Sequence, residues 1–270
     1  MPELPEVETI KNSLEKKIKG NIISSIEVLK KKSFRGNQNK VWGLEILSLG
    51  RRGKNLYFKL EKENNLLIHL KMTGQLIYQT KNKIEDLKHQ RVVINFNDKS
   101  RLVFNDLRIF GWIKLFNNKD LEKEFTILGP EPFFKEFNDG YLKKILTRSR
   151  RAIKLSLLDQ KKISGIGNIY ANEALYQAKI LPIRPSNSLT DKEIKKLRLG
   201  IIKVLRKGIK YKGSTAADEN YRLPDGSKGQ YQTHFKVYQK NGKKCHQCKK
   251  LIKKIKLGGR GTFYCPVCQK

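Results

Sequence analysis

All four cysteines of the chain lie near its C-terminal end, as the pairs Cys245/Cys248 and Cys265/Cys268. Each pair has two residues between its cysteines and sixteen residues separate the pairs, which is the spacing of a four-thiolate zinc ribbon. Two disulfides are the alternative, but the N-terminus has no secretory signal pattern. The sequence therefore predicts one structural Zn²⁺, because four thiolates leave no open coordination position for catalysis.

The residues around these cysteines are strongly basic. The stretch KKLIKKIKLGGRGT between the pairs suits a phosphate backbone, and Arg260 near the predicted hairpin tip could reach into a groove. His246 lies between two predicted ligands, and we interpret it as a bystander. Zinc ribbons occur in transcription, translation and repair proteins, so this motif alone does not identify a function.

A second group with chemical potential opens the chain as MPELPE. If Met1 is removed, Pro2 becomes a secondary amine with a pKa near 8, and part of it is unprotonated in the cell. Such an amine can attack a sugar C1′ and form an iminium, while Glu3 beside it shuttles protons. The alternative is an ordinary helix start, because proline and glutamate are both common in a first helical turn.

The charge of the whole chain indicates a polyanionic partner. There are 58 Lys+Arg and 25 Asp+Glu among 270 residues, which gives a formal net charge of +33. A genome-wide bias toward lysine explains part of this excess, but unbiased acidic residues would have offset it. No apolar run approaches the roughly 20 residues of a membrane span, so we expect a cytoplasmic, nucleoid-associated protein that binds nucleic acid and no membrane.

The elements that must position these residues follow two different periodicities. One apolar stripe on a helix is predicted by the spacing of Val7, Ile10, Leu14 and Ile18. Glu3 and Glu6 would lie near this stripe, and Glu8 would lie away from it. From about residue 21 to 117 short alternating strands follow one another, which predicts a two-sheet β-sandwich. We therefore expect residues 1–117 to form an N-terminal domain.

The rest of the chain is predicted to be a linker, helices and the zinc module. Residues 118–140 read as a linker and 236–270 as the zinc finger, with a helical domain over 141–235 between them. Within it, Thr190 and Glu193 form a capping box before a long amphipathic run. The stretch 212–233 reads as a long mobile loop. GIGNIYANEAL, residues 165–175, reads as a glycine turn entering a helix at or near Asn168, a natural phosphate site.

Six motifs occur together and in order: MPELPE, GRRGKNLYF at 50–58, HLKMTG at 69–74, NDLRIFGW at 105–112, GIGNIYANEAL and the cysteine pairs. Over essentially the whole chain this set resembles the formamidopyrimidine-DNA glycosylases, which are also called 8-oxoguanine DNA glycosylases. PELPE, rather than the PEGPE of the endonuclease VIII branch, favours the enzyme for oxidised purines. The resemblance implies an α+β fold with a β-sandwich domain, a helix–two-turn–helix domain and a zinc-ribbon hairpin.

The resemblance also implies a chemistry. Pro2 matches the nucleophile that displaces the damaged base and forms a Schiff base, and Glu3 matches the acid that acts on the deoxyribose ring oxygen. Glu6 matches a further acidic residue of the site, and Lys54 a catalytic lysine near the phosphate of the lesion. The implied activity is base excision from duplex DNA by a monomer, followed by β,δ-elimination at the abasic site.

Other family residues match positions that would hold DNA. Met72, Arg108 and Phe110 match the trio that fills the space left by the extruded base, and the 212–233 loop matches the loop that caps the lesion. Singly, these three would be read as core and turn residues. Family residues that bind the DNA backbone around the lesion match His69, Lys154, Asn168 and Arg260. We count Arg260 with the catalytic residues.

The chain departs from the family pattern beside this trio. Leu107 and Ile109 stand where the family usually has proline and arginine, and Lys71 stands where HLGMSG has glycine. Lys88-His89-Gln90-Arg91 also replaces a frequent KHDH. Two rival functions remain at this point: an endonuclease VIII-like glycosylase for oxidised pyrimidines, and a non-catalytic zinc-ribbon protein that binds nucleic acid.

Overall fold

The structure is a computed structural model that describes residues 1–215 and 220–270. The chain folds as two units, Met1–Thr126 with Tyr211–Gln232, and Ile127–Lys210 with Thr233–Lys270. We predicted a lesion-capping loop at 212–233 within the helical domain, but all of it up to Gln232 belongs to the first unit.

The first unit begins with the helix α1, Leu4–Ile18, whose buried residues include the predicted stripe from Val7 to Ile18. Two sheets follow. One has the strand order β1-β7-β8-β6, and the other has the order β2-β9-β5-β4-β3. The strands of the first unit are β1 Ile23–Val28, β2 Phe34–Arg35, β3 Ile46–Arg52, β4 Asn55–Leu60, β5 Asn64–His69, β6 Gly74–Gln79, β7 Gln90–Phe96, β8 Arg101–Asp106 and β9 Trp112–Asn117.

Alternation along the strands builds one core between the sheets. Leu56, Phe58 and Leu60 of β4 and Val92, Ile94 and Phe96 of β7 are buried in it, together with the apolar face of α1. All pairings within the two sheets are antiparallel except β2 with β9. The predicted helix and two-sheet sandwich are confirmed.

Two segments differ from what the sequence led us to expect. Residues 118–126, which we predicted to be the start of the linker, form the nine-residue helix α2, Asn118–Thr126, within the first unit. The expected mobile loop is packed where it is described, because Tyr221 and Leu223 are buried in the sandwich core. The backbone N–H of Tyr78 also donates to the carbonyl of Pro224 at 2.8 Å. A few large side chains in a polar segment were enough to anchor it.

The second unit is helical and ends in the zinc module. Its long helix α6 starts at the predicted capping box, where Thr190 N–H donates to Glu193 Oε2 at 2.8 Å and Glu193 N–H to Thr190 Oγ1 at 3.3 Å. None of the helices in the described ranges is long and apolar enough to cross a membrane. The elements of this unit are α3 Asp139–Thr147, α4 Ile153–Leu157, α5 Asn168–Ala178, α6 Asp191–Lys210, β10 Lys253–Leu257 and β11 Arg260–Tyr264.

Candidate functional site

Pro2 lies directly before α1 and is buried, as are Glu3 and Glu6. Glu3 is the N-cap residue of α1, and it forms a reciprocal capping box with Glu6. In that box the Glu3 N–H donates to Glu6 Oε2 at 2.9 Å. Two buried carboxylates therefore fix the backbone next to Pro2, which explains why acidic residues lie beside the apolar stripe of α1.

Glu6 also binds the segment that follows α6. Its Oε1 accepts the N–H of Ser214 at 2.8 Å, and Gly213 beside it has a φ of +75°. A Cβ on Gly213 would lie 2.9 Å from Glu6 Cγ, so a side chain there would clash as well as strain the backbone. The hydroxyl of Tyr221 approaches the carbonyl of Glu6 at 3.4 Å, and burial with the nearby Glu6 charge raises the pKa of Tyr221.

Lys54 lies in the two-residue turn between β3 and β4, and its side chain is largely buried. Gly53, the first residue of that turn, has a φ of +60°, which suits a type II′ hairpin. Arg51 connects the turn to α1, because its Nε donates to Glu8 Oε2 at 2.6 Å and its Nη1 to Gly53 O at 2.9 Å. Glu8 on the outer face of α1 thus helps to hold the turn that carries Lys54.

His69 ends β5 and is neutral over the physiological range. Burial lowers its pKa to about 3, and the positive charges of Lys71 and Lys54 add to this effect. The N–H of Lys71 donates to His69 Nδ1 at 2.9 Å, so the proton of the ring is on Nε2. His69 can therefore donate one hydrogen bond, while the positive charge around it comes from the two lysines.

The three predicted intercalating residues lie on two loops that share one carboxylate. Asp106 is fully buried at the end of β8, where it accepts bonds from the Thr73 hydroxyl and from the N–H of Gly111 at 2.8 Å. It also accepts the N–H of Arg108 at 3.3 Å. Met72 and Thr73 lie in one loop, and Arg108 and Phe110 lie in the loop after β8. Asp106 therefore connects the two loops.

The trio itself is in mutual contact and exposed. Arg108 Nη1 lies 3.2 Å from Met72 Sδ, and its guanidinium lies 4.8 Å from the ring centroid of Phe110. Met72 is 41% exposed and Phe110 is 52% exposed, so neither belongs to the core. Large apolar side chains at the surface beside a cation need an explanation, and an apolar partner outside the chain would provide one.

Two of the departures from the family pattern have an unusual backbone. Lys71 has a φ of +51° and Ile109 a φ of +57°, both in the left-handed region. That region favours glycine, and for a β-branched residue such as isoleucine it is particularly unfavourable. Each residue directly precedes or follows a member of the trio, so the strain lies within the two loops that present it.

In the second unit, two predicted DNA-binding residues meet at one carbonyl. Lys154 Nζ donates to Gly261 O at 2.9 Å and to Thr262 Oγ1 at 2.7 Å, and Asn168 Nδ2 donates to Gly261 O at 3.1 Å. Lys154 is fully buried, so in this structure its charge holds the β10–β11 hairpin. Asn168 is the first helical residue of α5, with Gly167 rather than Asn168 as the N-cap.

Arg260 follows the tip of that hairpin and is exposed. Gly258 and Gly259 form the tip with φ values of +54° and +75°, the pattern of a type I′ turn. The bonds from Lys154 and Asn168 therefore fix the residue next to Arg260 and leave the guanidinium at the surface. The role of all these residues in DNA binding stays a prediction.

The cysteines lie where the sequence predicts a metal site. The four Sγ atoms lie within 4.8 Å of one another, with 3.8 Å between Cys245 and Cys268 and 3.3 Å between Cys248 and Cys265. A tetrahedral zinc with bonds of about 2.3 Å needs sulfurs about 3.8 Å apart, so the cluster fits one structural zinc ion. His246 is outside this cluster and approaches the Tyr176 hydroxyl through Nδ1 at 2.9 Å.

Helix α5 positions this zinc module through two buried polar residues. Glu173 Oε1 accepts the backbone N–H groups of Lys236, Val237 and Tyr238 at 2.9 to 3.1 Å. Burial raises the pKa of Glu173, and these three bonds oppose that effect. Asn172 Oδ1 accepts the N–H of Phe263 in β11 at 2.8 Å. The helix that starts at Asn168 therefore also holds the hairpin that carries Arg260.

Three domain families match successive parts of the sequence. Residues 1–113 match the formamidopyrimidine-DNA glycosylase N-terminal domain, residues 128–220 match its H2TH domain, and residues 242–270 match the zinc finger found in FPG and IleRS. A formamidopyrimidine-DNA glycosylase of Desulforamulus reducens is 41% identical over 278 residues, covering 100% of this chain and 99% of the relative. The chain belongs to the formamidopyrimidine-DNA glycosylase family.

Solved structures of family members have the same fold. The Lactococcus lactis Fpg in complex with DNA containing an abasic site has a TM-score of 0.93 and 36% identity, covering 99% of both chains. The wild-type Lactococcus lactis Fpg with DNA containing an oxidised pyrimidine has a TM-score of 0.92 and 37% identity, covering 100% of both chains. The predicted fold with a sandwich, a helix–two-turn–helix domain and a zinc finger is confirmed.

Three residues that organise this family site, Asp106, Glu173 and Arg51, were not singled out from the sequence, although each lies within one of the quoted motifs. They bind partners 33, 64 and 43 positions away in the chain, and neither periodicity nor spacing indicates such contacts. The motifs therefore contained these residues but gave no sign of their partners. A buried polar group must be satisfied, but the sequence does not say by which partner.

Proposed function

We propose that this protein is a bifunctional DNA glycosylase and abasic-site lyase that removes oxidised purines from duplex DNA. Family membership supports the reaction class. The observation that carries the proposal for this chain is the buried capping box of Glu3 and Glu6, which holds Pro2 at the start of α1. A mere helix start needs no pair of buried carboxylates.

The reaction would begin at Pro2 after Met1 is removed. Its secondary amine attacks C1′ of the damaged nucleotide, the oxidised base leaves with its bonding electrons and takes up a proton, and the attacking amine loses its own proton. Glu3 then protonates the ring oxygen as the C1′–O4′ bond breaks, which leaves C1′ joined to the proline nitrogen as an iminium. The resulting iminium acidifies the C2′ protons, so the 3′ phosphate and then the 5′ phosphate leave by β,δ-elimination. Glu6 has a positioning role, because both of its oxygens bind backbone N–H groups.

Lys54 and His69 would bind the phosphate beside the lesion. The charge of Lys54 lowers the pKa of His69, so the two side chains lie near each other in the first unit. A neutral histidine that donates from Nε2 and a protonated lysine form a phosphate site with one hydrogen bond and one full charge. The lysine would therefore provide most of the salt-sensitive part of this contact.

The exposed trio would fill the space left in the duplex. Extruding a base costs a few kcal/mol, and apolar side chains inserted between base steps offset part of that cost. Met72 and Phe110 supply the apolar surface, and Arg108 between them supplies hydrogen-bond donors for the unpaired base. Asn168 and Arg260 would bind the phosphate backbone from the second unit, and Lys154 would act through the hairpin it holds.

Borohydride trapping on a duplex with 8-oxoguanine opposite cytosine tests this proposal. We expect a covalent adduct that mass spectrometry locates at Pro2. A variant with a permanent N-terminal extension should bind the same duplex but form no adduct and cut no strand. An adduct on a lysine would reassign the nucleophile, and strand cleavage by the extended variant would refute the role of Pro2.

An activity on oxidised pyrimidines is the second candidate. The Lactococcus lactis relative has been crystallised with DNA that contains an oxidised pyrimidine, so such a lesion can occupy a site of this type. Single-turnover excision of 8-oxoguanine and of thymine glycol, each in the same sequence context, separates the two. We expect the purine to be excised faster, and a preference for the pyrimidine would contradict our assignment.

A further inference from the structure

The second unit carries an open pocket that none of the proposed DNA-binding residues line. Its volume is about 610 Å³, and Phe133, Phe134 and Phe137 line one part of it. Ile202 of α6 lines another part. Phe133 is 36% exposed and Phe134 is 45% exposed, so two adjacent aromatic rings face solvent. We call this feature the aromatic pocket.

The loop that carries these rings is ordered by its own backbone bonds. The N–H of Phe134 donates to the carbonyl of Glu131 at 3.0 Å, and the N–H of Phe137 donates to the carbonyl of Phe134 at 3.1 Å. Pro130 and Pro132 restrict the backbone on either side of the fully buried Glu131. The backbone that carries the two rings is therefore ordered, and a ligand that covers them would not have to order it.

The rim of the aromatic pocket is positively charged. Arg198 Nε donates to Asp139 Oδ1 at 2.5 Å, which orients the guanidinium, and no other described residue binds its terminal nitrogens. Arg206, about two helical turns further along α6, and Lys135 have no hydrogen-bond or ion-pair partner among the described residues. Among the described residues that line the pocket, Asp139 is the only acid and three are cations, which leaves a net charge of about +2 at neutral pH.

We infer that the aromatic pocket binds an acidic, extended segment of a partner protein that inserts an aromatic or large aliphatic side chain. Aromatic anchors and arginines dominate binding energy in protein interfaces, and here both occur at one site. Charge complementarity selects the occupant: carboxylates would bind Arg198 and Arg206 while the inserted side chain covers Phe133 and Phe134. A segment of this kind is typically disordered before it binds.

The aromatic pocket shares no lining residue with the surface proposed for DNA. None of its lining residues belongs to the Lys154, Asn168 and Gly261 cluster or to the zinc module. A phosphate backbone has no apolar group that would fill a pocket with three phenylalanines, although an unstacked base could stack on them. The inference does not rest on the proposed enzymatic function, and a protein that only binds DNA could carry the same pocket.

Fluorescence anisotropy with a labelled peptide, Gly-Asp-Glu-Phe-Asp-Glu-Phe-Asp, tests the inference on the full chain at 150 mM salt. The change of Arg206→Glu, and separately of Phe133→Ala, should weaken binding about tenfold. Lys195→Glu is the matched control, because it reverses a charge on the same helix outside the pocket and should change binding less than about twofold. Strand cleavage at an abasic site and zinc content report that each variant is folded.

Two further measurements, one with an altered peptide and one with DNA, complete the test. Replacing both phenylalanines of the peptide with serine should remove most of the binding, and a saturating duplex with a reduced abasic site should not displace the original peptide. Equal weakening by Lys195→Glu and Arg206→Glu would overturn the inference, because general attraction to a chain of net charge +33 would then explain the binding. Displacement by the duplex would reassign the pocket to nucleic acid, and no binding by the unaltered chain would refute it.

Discussion

The Thr73 hydroxyl donates a hydrogen bond to the Asp106 carboxylate, and this contact joins the loop of Met72 to the loop of Arg108 and Phe110. The same carboxylate accepts the N–H groups of Arg108 and Gly111. Because Asp106 is fully buried, loss of its bonds would leave donors without water as a substitute. The two loops that present the trio are therefore held as one body by a residue that itself does not reach the surface.

Asp106→Asn should separate base excision from strand cleavage. An amide at this position cannot accept from three donors as well as a carboxylate, so the loops should lose their fixed arrangement at a cost of about 2 kcal/mol. We expect single-turnover excision of 8-oxoguanine to fall at least about tenfold, with a much smaller effect on a preformed abasic site. The exposed Asp86→Asn is the control, and equal losses on both substrates would contradict a role restricted to base extrusion.

Lys71 provides a direct test of the added charge in the loop before Met72. Lys71→Gly should reduce the slope of log K against log salt by about 1 on DNA with a reduced abasic site. Lys62→Gly is a closely matched control, because Lys62 has the same φ of +51° in a different turn. Both changes remove one charge and relieve the same backbone strain. Equal slopes for the two variants would assign the effect to net charge alone.

His69 should make the stability of the protein depend on pH. Its pKa is about 3 in the folded chain and near its ordinary value of 6.5 when unfolded, so only the unfolded state gains a proton between those values. Stability is thus lost as the pH falls through this window, with a slope that approaches about 1.4 kcal/mol per pH unit. Urea unfolding should show a shallower loss for His69→Gln than for the unaltered chain. His89→Gln, the control, should retain the original dependence.

The features that the sequence predicted correctly depend on interactions between residues that are close together in the chain. The α1 stripe, the strand alternation, the Thr190–Glu193 box and the cysteine spacing are local patterns, and each is confirmed. Helix α2 was missed because only two of its nine residues, Leu121 and Phe125, are large and apolar, so their helical spacing is a weak signal in a charged sequence. Local signals determine elements well when one face of the element is buried.

The candidate site was predictable by residue type but not by contact. Proline beside glutamates suggested the chemistry, whereas the binding of Ser214 by Glu6 brings together residues about 200 positions apart and has no local signature. Lys154 is the clearest case: its match to a DNA-binding residue gave no hint that its ammonium is buried against Gly261 and Thr262. Tertiary packing determines which groups form long-range hydrogen bonds, and the residue pattern of a single sequence does not show which groups will meet.

Zinc removal should affect DNA binding before it affects the first unit. Both tryptophans, Trp42 and Trp112, lie in the first unit, so their fluorescence reports unfolding of that unit alone. In zinc-free protein we expect affinity for abasic-site DNA to fall about tenfold or more, because the hairpin next to Arg260 loses its metal support. The tryptophan unfolding transition should stay unchanged. Unaltered binding by demonstrably zinc-free protein would remove the zinc module from the DNA interface.

Ile109 tests whether the left-handed backbone beside Phe110 is a cost to stability. Ile109→Asn should stabilise the protein by about 1 kcal/mol, because asparagine tolerates a φ of +57° far better than a β-branched residue. Ile109→Val keeps the branch and removes one methylene, so it should destabilise slightly. Ile84→Asn, at an exposed isoleucine outside the left-handed region, should have little effect. Urea unfolding distinguishes these outcomes, and a loss of stability in Ile109→Asn would mean that contacts of the isoleucine side chain outweigh the strain.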